Sequence, residues 1–388
     1  MVLTPTVEGL PHGDAELLDT PVTVVVVNFE GAPWIDECLD ALAALEGNVV
    51  EVVVVDNAST DDGPERIAAH PIGARLISME SNEGPCPARN RGLEEATTHW
   101  VLAVDSDVIV PPDTLRRLLP ETALERVAVV QPRAVLAHDT DVVHYDGGDM
   151  HYVGVMCLDN LLSRPEGPPG EPEDIDAVIS MALLVNRGVL LDAGGFDPTF
   201  FILFEDHDLS YRLRALGWRL RRVPRAIVLH REGTKGISFR PGAASYPGHR
   251  AFLHGRNRAY LVLKNYSWPA LLLSWPGRAA YAFVWFGFAL SRGLILDYLR
   301  GRLEVLKYLP RALAHRRHLA ARRVVSDRDL LHARTLTFSP VIDQSGAEAL
   351  FLRALNGMLR GWWWLVRPLL PRSAPAGRMR TRDVGHSQ

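Results

Sequence analysis

Short runs of apolar, mostly β-branched residues alternate with helical patterns over the first hundred residues. Four runs are strand candidates: Val22–Val27, Val52–Val55, Ala74–Ser78 and Trp100–Val104. Helical patterns lie between them, the first over Pro33–Leu45. Continuous apolar strands that alternate with helices are typical of a parallel sheet covered on both faces. The sequence therefore predicts an α/β fold.

Polar side chains gather where these strand candidates end. They are Asn28, Asp56, Asn57, Asn82 and Asp105. Because the carboxyl ends of parallel strands meet at one edge of a sheet, ligands bind there in open α/β folds. This edge is the first candidate for a functional site.

The later sequence predicts a different organisation. Further elements are expected as strands over Ala177–Val185 and Ala226–Leu229, with a helix over Asp206–Leu216. From about Gly248 the chain is helical, aromatic and rich in Arg. We therefore expect three parts: a disordered lead-in over residues 1–20, an α/β domain over 21–245 and a helical C-terminal region over 246–388.

The charge is distributed unevenly, although 42 basic and 46 acidic residues give a net charge of only −4. The stretch Arg278–Arg323 holds ten basic residues against Asp297 and Glu304, so the rest of the chain is acidic. Basic stretches favour nucleic acid or anionic lipid as partners. No nucleic-acid-binding motif accompanies this one, which disfavours nucleic acid. The three Cys are far apart, which predicts no disulfide framework and a reducing, cytoplasmic compartment.

The basic stretch contains an aromatic, uncharged segment over Ala279–Ser291. It is shorter than the roughly 20 apolar residues that a spanning helix needs. Leu299, Leu303 and Leu306 follow at helical spacing beside basic residues, which suits a peripheral helix on a membrane surface. Ordinary helix packing or a homodimer interface explains the pattern nearly as well, and Trp362–Trp364 fits either interpretation.

Asp105-Ser106-Asp107 follows directly after a strand candidate. Two carboxylates one residue apart at a strand end can both reach a hard divalent cation bound to phosphate oxygens. The alternative is a turn or a helix cap. His230, at the end of another strand candidate, is a structural histidine or a third metal ligand.

A second acidic group, Glu205-Asp206-His207-Asp208, opens a predicted helix shortly after Phe196 and Asp197. Acids at a helix start stabilise its positive end, which is the simple explanation. A carboxylate beside aromatic residues can also serve as a general base, and its acidic neighbours would raise its pKa toward a working value.

Taken together, these residues resemble the family 2 inverting glycosyltransferases of the GT-A fold, in particular rhamnosyltransferase- and galactofuranosyltransferase-like members. The resemblance covers Val22–Arg231. It implies a mixed sheet with helices on both faces, a nucleotide-diphosphate-sugar donor, Mg²⁺ or Mn²⁺, and single displacement with inversion. No Q/R-x-x-R-W element is present, so a non-processive enzyme is expected.

The resemblance also implies roles for particular residues. The implied donor contacts are Asn28, Asp56, Asn57, Arg89 and Asp105. The implied metal ligands are Asp105, Asp107 and His230. The base is placed on Asp206, with Glu205 as the fallback. The acceptor side is assigned to Phe196, Asp197 and Asp208.

We therefore expect a metal-dependent glycosyltransferase of cell-envelope or capsular polysaccharide synthesis. Its acceptor would be a glycan or a polyprenyl-linked glycan, and it would act peripherally at the cytoplasmic face of the inner membrane. One alternative is a nucleotidyltransferase of related fold, although the stretch Asn28–Pro33 lacks the Gly-rich, basic loop that such enzymes use. Another is a non-catalytic scaffold that binds nucleotide-sugar or lipid.

Overall fold

The computed structural model describes residues 17–231, 246–336 and 346–373. Most of the expected lead-in lies outside the described residues, as do residues 232–245, where the two main predicted parts would meet. The chain forms two compact units. The first contains the described chain up to Gly148, then Leu158–Ser210 and the residues from Arg219 onward through the last strand; the second contains Asp149–Cys157, Tyr211–Trp218 and the described residues after Pro241.

The first four strands form the parallel sheet that the apolar runs predict. They are β1 (Val22–Asn28), β2 (Val49–Asp56), β3 (Arg75–Ser78) and β4 (Trp100–Asp105), in the order β3-β2-β1-β4. Helices α1 (Ile35–Ala43), α2 (Gly63–Ala69) and α3 (Pro85–Glu95) connect them. All seven residues of β1 are buried, because both faces of this central strand are covered.

The rest of the sheet is mixed. Its strands are β5 (Val108–Ile109), β6 (Val127–Leu136), β7 (Asp139–Tyr145), β10 (Glu173–Ile175), β11 (Ala182–Asn186) and β12 (Arg219–His230). Between them along the chain come helices α4 (Thr114–Leu118), α5 (Arg187–Asp192) and α6 (Glu205–Ala215), and strands β8 (Gly148–His151) and β9 (Val155–Leu158). Strand β11 runs antiparallel to β4, and β6 lies between β11 and β12. Strands β8 and β9 form a separate pair.

Strand register brings the polar ends of three strands to one edge. Asn28 lies opposite Asp56, and Val27 lies opposite Asp105. The short strand β5 pairs with the end of β12, which places His230 opposite Val108. The sheet therefore collects residues from widely separated parts of the sequence at the edge that the sequence pattern predicts.

The second unit is mostly helical. Its helices are α7 (Gly248–Asn265), α8 (Trp268–Leu273), α9 (Trp275–Ser291), α10 (Ile295–Glu304), α11 (Leu309–Arg322), α12 (Asp327–Leu330) and α13 (Gly346–Val366). Helix α7 is buried along most of its length, and α10 and α11 pack against it. Among the described helices, none combines the length and the apolar content that crossing a bilayer requires.

A buried carboxylate ties the second half of the sheet to its loops. Asp146, which is 1% exposed, accepts hydrogen bonds from Arg133 Nη2 and Asn160 Nδ2, each at 2.7 Å. Arg222 Nη1 lies 3.8 Å from the same carboxylate. Both arginines are largely buried, and Arg222 also pairs with Asp159 at 3.0 Å and with Glu173 at 2.6 Å, so Arg133 is the arginine whose charge Asp146 chiefly balances.

Replacing Asp146 by Ala should lower the free energy of unfolding by about 3–5 kcal/mol, because breaking a buried ion pair leaves its partner charged and unpaired. Urea unfolding followed by circular dichroism measures this loss. The matched control is Asp141→Ala, which removes an exposed carboxylate paired with Arg164 and should cost less than about 1 kcal/mol. Equal losses in the two variants would contradict the role given to Asp146.

Candidate active site

The ends of β1 and β2 form a rigid polar pair. Asn28 Nδ2 donates to Asp56 Oδ1 at 2.7 Å, and Ser59 Oγ donates to the same oxygen at 2.6 Å. The backbone N–H of Ser59 binds Asp56 Oδ2 at 3.0 Å. A Cβ on Gly31 would stand 2.0 Å from Asn28 Oδ1, so glycine is needed there for this close approach. The Asp56 carboxylate is thus fixed in one orientation.

Asn57 connects two loops rather than standing alone at the strand end. It is buried, and its Nδ2 donates to Asn82 Oδ1 at 2.9 Å and to the backbone carbonyl of Gly84 at 3.0 Å. The link anchors the turn that begins α3. Its expected contact with the donor stays a prediction.

Arg89 stands between the two acidic groups. It is 4% exposed, and its Nη2 donates to both oxygens of Asp105, at 2.7 and 2.9 Å. Its Nη1 lies 3.9 Å from Glu205 Oε1. The guanidinium also lies 5.4 Å from the centre of the Phe196 ring. The sequence suggests Arg89 as a donor contact and gives no sign of this bridging position.

The first acidic group has two carboxylates in different electrostatic states. Burial raises the pKa of Asp105 to about 6, although the adjacent Arg89 opposes the shift. Burial acts in the same direction on Asp107, but a hydrogen bond from His230 and its positive charge hold the pKa of Asp107 below its usual value. His230 Nε2 lies 3.3 Å from Asp107 Oδ2.

A second histidine, which the sequence interpretation missed, fixes the ring of His230. His144 on β7 stacks on it with 4.8 Å between the ring centres, and the two Nδ1 atoms are 2.7 Å apart. At that distance one nitrogen donates and the other accepts. The sequence of β7, Asp-Thr-Asp-Val-Val-His-Tyr, has no alternating pattern that would have distinguished His144 from its neighbours.

The residues proposed as metal ligands have the chemistry that a divalent cation requires. Two carboxylates and an imidazole are ligands that Mn²⁺ accepts, and carboxylates suit Mg²⁺. Asp107 and His230 already lie side by side. Asp105 is half-buried and both of its oxygens accept from Arg89, so a cation would share this carboxylate with the guanidinium. The donor set therefore fits.

The second acidic group begins α6. Glu205 is buried, whereas Asp206 is only half-buried and its Oδ1 accepts the backbone N–H of Ser180 at 3.2 Å. Burial raises the pKa of both carboxyls, and for Glu205 the adjacent Asp206 raises it further. Asp206 is therefore the member of the pair that solvent and a second substrate can reach.

The loop that leads into this pair is strained. Phe201, Leu203 and Phe204 have φ angles of 60°, 68° and 74°, in the left-handed region that non-glycine residues rarely adopt. All three side chains are half-buried. Strain of this kind costs of order 1–3 kcal/mol per residue and concentrates at functional sites.

The residues assigned to the acceptor side lie behind the acidic pair. Phe196 is buried, and its backbone exchanges two hydrogen bonds with the side chain of Asn90. Asp197 accepts the N–H of Thr199 at 3.0 Å as a cap, and Asp208 is fully buried. The structure shows how these residues support the site, and their contact with an acceptor stays a prediction.

The mixed sheet and its polar edge define an enzyme fold of the GT-A glycosyltransferase class. The chain is similar to the crystal structure of GalNAc-T7 with UDP, GalNAc and Mn²⁺, at a TM-score of 0.52 and 16% identity, covering 76% of this chain and 57% of that one. Residues 23–158 match the family model "Glycosyl transferase family 2". Residues 23–158 are therefore similar to family 2 glycosyltransferases, as the sequence resemblance predicts.

Two curated relatives extend the comparison. The chain is 40% identical over 129 residues to the succinoglycan biosynthesis protein ExoO of Rhizobium meliloti (strain 1021), covering 32% of this chain and 35% of that protein. It therefore spans about a third of that relative's length. It is 28% identical over 284 residues to the N-acetylglucosaminyl-diphospho-decaprenol L-rhamnosyltransferase of Mycobacterium tuberculosis (strain ATCC 25618 / H37Rv), covering 67% of this chain and 90% of that protein.

His207, between the two candidate catalytic acids and Asp208, is a buried imidazole of unusual isolation. It is 1% exposed, and neither ring nitrogen has a hydrogen-bond partner within the part of the chain that the structure describes. Burial lowers the pKa of His207 to about 4, although nearby Asp208 opposes the shift. The folded protein therefore holds this ring neutral at pH values where the unfolded chain protonates it.

This depressed pKa should make folding stability fall as the pH drops from about 6.5 toward 4, because only the unfolded chain gains a proton in that window. The contribution of His207 reaches about 3 kcal/mol at the acid end. In the His207→Leu variant, the free energy of unfolding measured across this range should fall less steeply than in the wild type. Exposed His138 provides the control variant, His138→Leu. Parallel curves for His207→Leu and wild type would show the interpretation to be wrong.

Proposed function

We propose that this protein transfers a sugar from a nucleotide-diphosphate-sugar to a glycan or lipid-linked acceptor, with inversion and without processivity, in cell-envelope polysaccharide synthesis. The observation that carries the proposal is the position of Arg89. Its guanidinium joins the Asp105 carboxylate to Glu205, so the donor end and the base end form one buried charge cluster.

The donor nucleoside would bind at the ends of β1 and β2. Asp56 is held by Asn28 and Ser59, so it offers a fixed acceptor to an N–H of the base or a hydroxyl of the ribose. Asn57 would support the same pocket through its loop contacts. Arg89 and Asp105 would face the sugar-phosphate side.

Mg²⁺ or Mn²⁺ would be held by Asp105, Asp107 and His230. When bound, the cation would neutralise the charge that develops on the leaving diphosphate. The residues of the chain prepare its ligands. His144 fixes the imidazole of His230, and Arg89 holds both oxygens of Asp105.

Asp206 would remove the proton from the acceptor hydroxyl. Its raised pKa makes it a stronger base than an exposed carboxylate, and the N–H of Ser180 fixes its orientation. Glu205 is more deeply buried beside it, and burial together with the adjacent Asp206 raises the pKa of Glu205 to about 8, which favours its protonated, neutral form. As Asp206 takes the hydroxyl proton, the acceptor oxygen would attack the anomeric carbon from the face opposite the diphosphate. The bond from that carbon to the diphosphate oxygen would break as the new bond forms, so the configuration would invert and the nucleoside diphosphate would leave.

The acceptor would lie against the strained loop Phe201–Phe204, with Phe196, Asp197 and Asp208 behind it. The half-buried apolar side chains of this loop suit the flat faces of sugars or an apolar carrier. Similarity to a rhamnosyltransferase whose name specifies a diphospho-decaprenol acceptor supports a lipid-linked acceptor. Such an acceptor would place the protein at the cytoplasmic face of a membrane.

Asp206→Asn should reduce sugar transfer by about 10²–10⁴-fold, the usual contribution of a general base, while nucleotide binding is retained. Glu205→Gln is the matched variant, because glutamine keeps a neutral hydrogen-bonding group at this position and removes only the titratable carboxyl. It should retain most activity and leave the acidic limb of the pH–rate profile close to that of wild type, because a neutral amide replaces a carboxyl that is already protonated. A loss in Glu205→Gln as large as in Asp206→Asn would move the base to Glu205.

The donor and cation can be identified by thermal shift with UDP-, GDP- and dTDP-sugars, each with Mn²⁺, Mg²⁺ or EDTA. The correct pair should raise the unfolding midpoint by mass action. Asp107→Ala should abolish the metal-dependent part of this shift. The control Asp113→Ala removes a carboxylate paired with Arg117 nearby and should behave as wild type. Unchanged Mn²⁺ dependence in Asp107→Ala would exclude the proposed metal site.

A further inference from the structure

Helices α9 and α10 present large apolar side chains to solvent instead of to the core. The residues are Phe283, Phe286 and Leu290 on α9, then Leu296, Leu299, Leu303 and Leu306 on α10 and the single turn that continues it, each between 38% and 76% exposed. Isolated exposed apolar residues are ordinary, but a continuous series marks an interaction surface. We call these seven residues the hairpin face, since Arg292–Leu294 is all that separates the two helices.

The hairpin face is not the packing side of either helix. In α10 and the following turn, Tyr298, Gly301 and Val305 are buried. Gly301 lies so close to α7 that a Cβ there would be 2.1 Å from the backbone carbonyl oxygen of Phe252. The leucines at spacings of three and four residues therefore form a second apolar stripe on the opposite side, which no core contact explains.

The charges around this stripe are sorted by sign. Arg300, Arg302 and Lys307 are exposed. The acids of the same segment are half-buried: the carboxylate of Glu304 lies 3.7 Å from Arg256 of α7 and 3.5 Å from Lys307, and Asp297 borders Gly248 at the start of α7. The outward side of α10 is thus apolar in the middle and basic at its edges.

We infer that the hairpin face docks on the surface of a lipid bilayer that contains anionic lipids, with the leucines and phenylalanines at the acyl boundary and Arg300, Arg302 and Lys307 among the headgroups. An apolar stripe with basic edges is the arrangement of helices that lie in the plane of a membrane. The inference rests on the proposed function, because docking on a bilayer would bring the protein to a lipid-linked acceptor in the same surface.

Charge favours the bilayer over a second copy of this chain. Two hairpin faces placed against each other would bring the basic edges of both copies together, and like charges across an interface are unfavourable. An anionic headgroup layer instead attracts each exposed Lys or Arg. Insertion stays in the interface because no described helix meets the requirements for spanning a bilayer.

The test is flotation of the full chain with vesicles of phosphatidylcholine alone and of equal parts phosphatidylcholine and phosphatidylglycerol. Wild type should bind the anionic vesicles at least tenfold more tightly, and salt should weaken the binding. Leu299→Glu/Leu303→Glu should lose at least tenfold in affinity. Since both side chains are exposed, the unfolding midpoint should be unchanged. The matched control Val50→Glu/Leu124→Glu alters two exposed apolar residues of the first unit and should bind as wild type.

Two outcomes would overturn the inference. One is equal vesicle binding, or no binding, by wild type and Leu299→Glu/Leu303→Glu. The other is a dimer in light scattering that Leu299→Glu/Leu303→Glu dissociates while vesicles bind neither protein, which would make the face a self-association surface. Thermal shift with UDP and Mn²⁺ on the same variants distinguishes a failure of this inference from a failure of the proposed function. A loss of nucleotide binding in wild type would concern the active site and not the hairpin face.

Discussion

The site depends on the buried, positively charged guanidinium of Arg89. Asp105 ends β4, whereas Glu205 and Asp206 begin α6, and low solvent access makes several negative charges in one place unfavourable. Arg89 sits between Asp105 and Glu205, nearly buried itself, and it is the group that makes this density of carboxylates tolerable. The same guanidinium donates to both oxygens of Asp105 and opposes the rise in the pKa of Asp105 that burial causes.

The first half of the fold could be predicted because β1, β4 and most of β2 are buried on both faces and appear in the sequence as unbroken apolar runs. Strand β12 could be predicted only in part. The sequence indicates Ala226–Leu229, whereas the strand begins at Arg219, because arginines at its start pair with acids on neighbouring segments. A strand that begins with several arginines cannot be recognised from an apolar pattern in the sequence. Strand β7 is also hard to predict from sequence. It pairs with β6 in antiparallel orientation and with shifts in register.

The site divides in a similar way. Residues at strand ends could be collected from sequence, because parallel strands share an edge. The contact of His144 with His230 could not, because it follows from a register between strands far apart in the chain. The helical spacing of Leu299, Leu303 and Leu306 was correct, but spacing alone does not say which side of a helix faces the core. The packing of Gly301 against α7 decides that question.

The strained loop has a consequence for how this protein would respond to selection. Glycine adopts the conformation of Leu203 and Phe204 without a steric penalty, so a search for thermal stability alone would tend to replace them. The same replacement would remove the apolar side chains next to Glu205 and Asp206 and make the loop that leads to them less rigid. Thermal stability and activity therefore favour different residues in this loop. The residues that a homologue has at these positions would show which of the two was selected in its lineage.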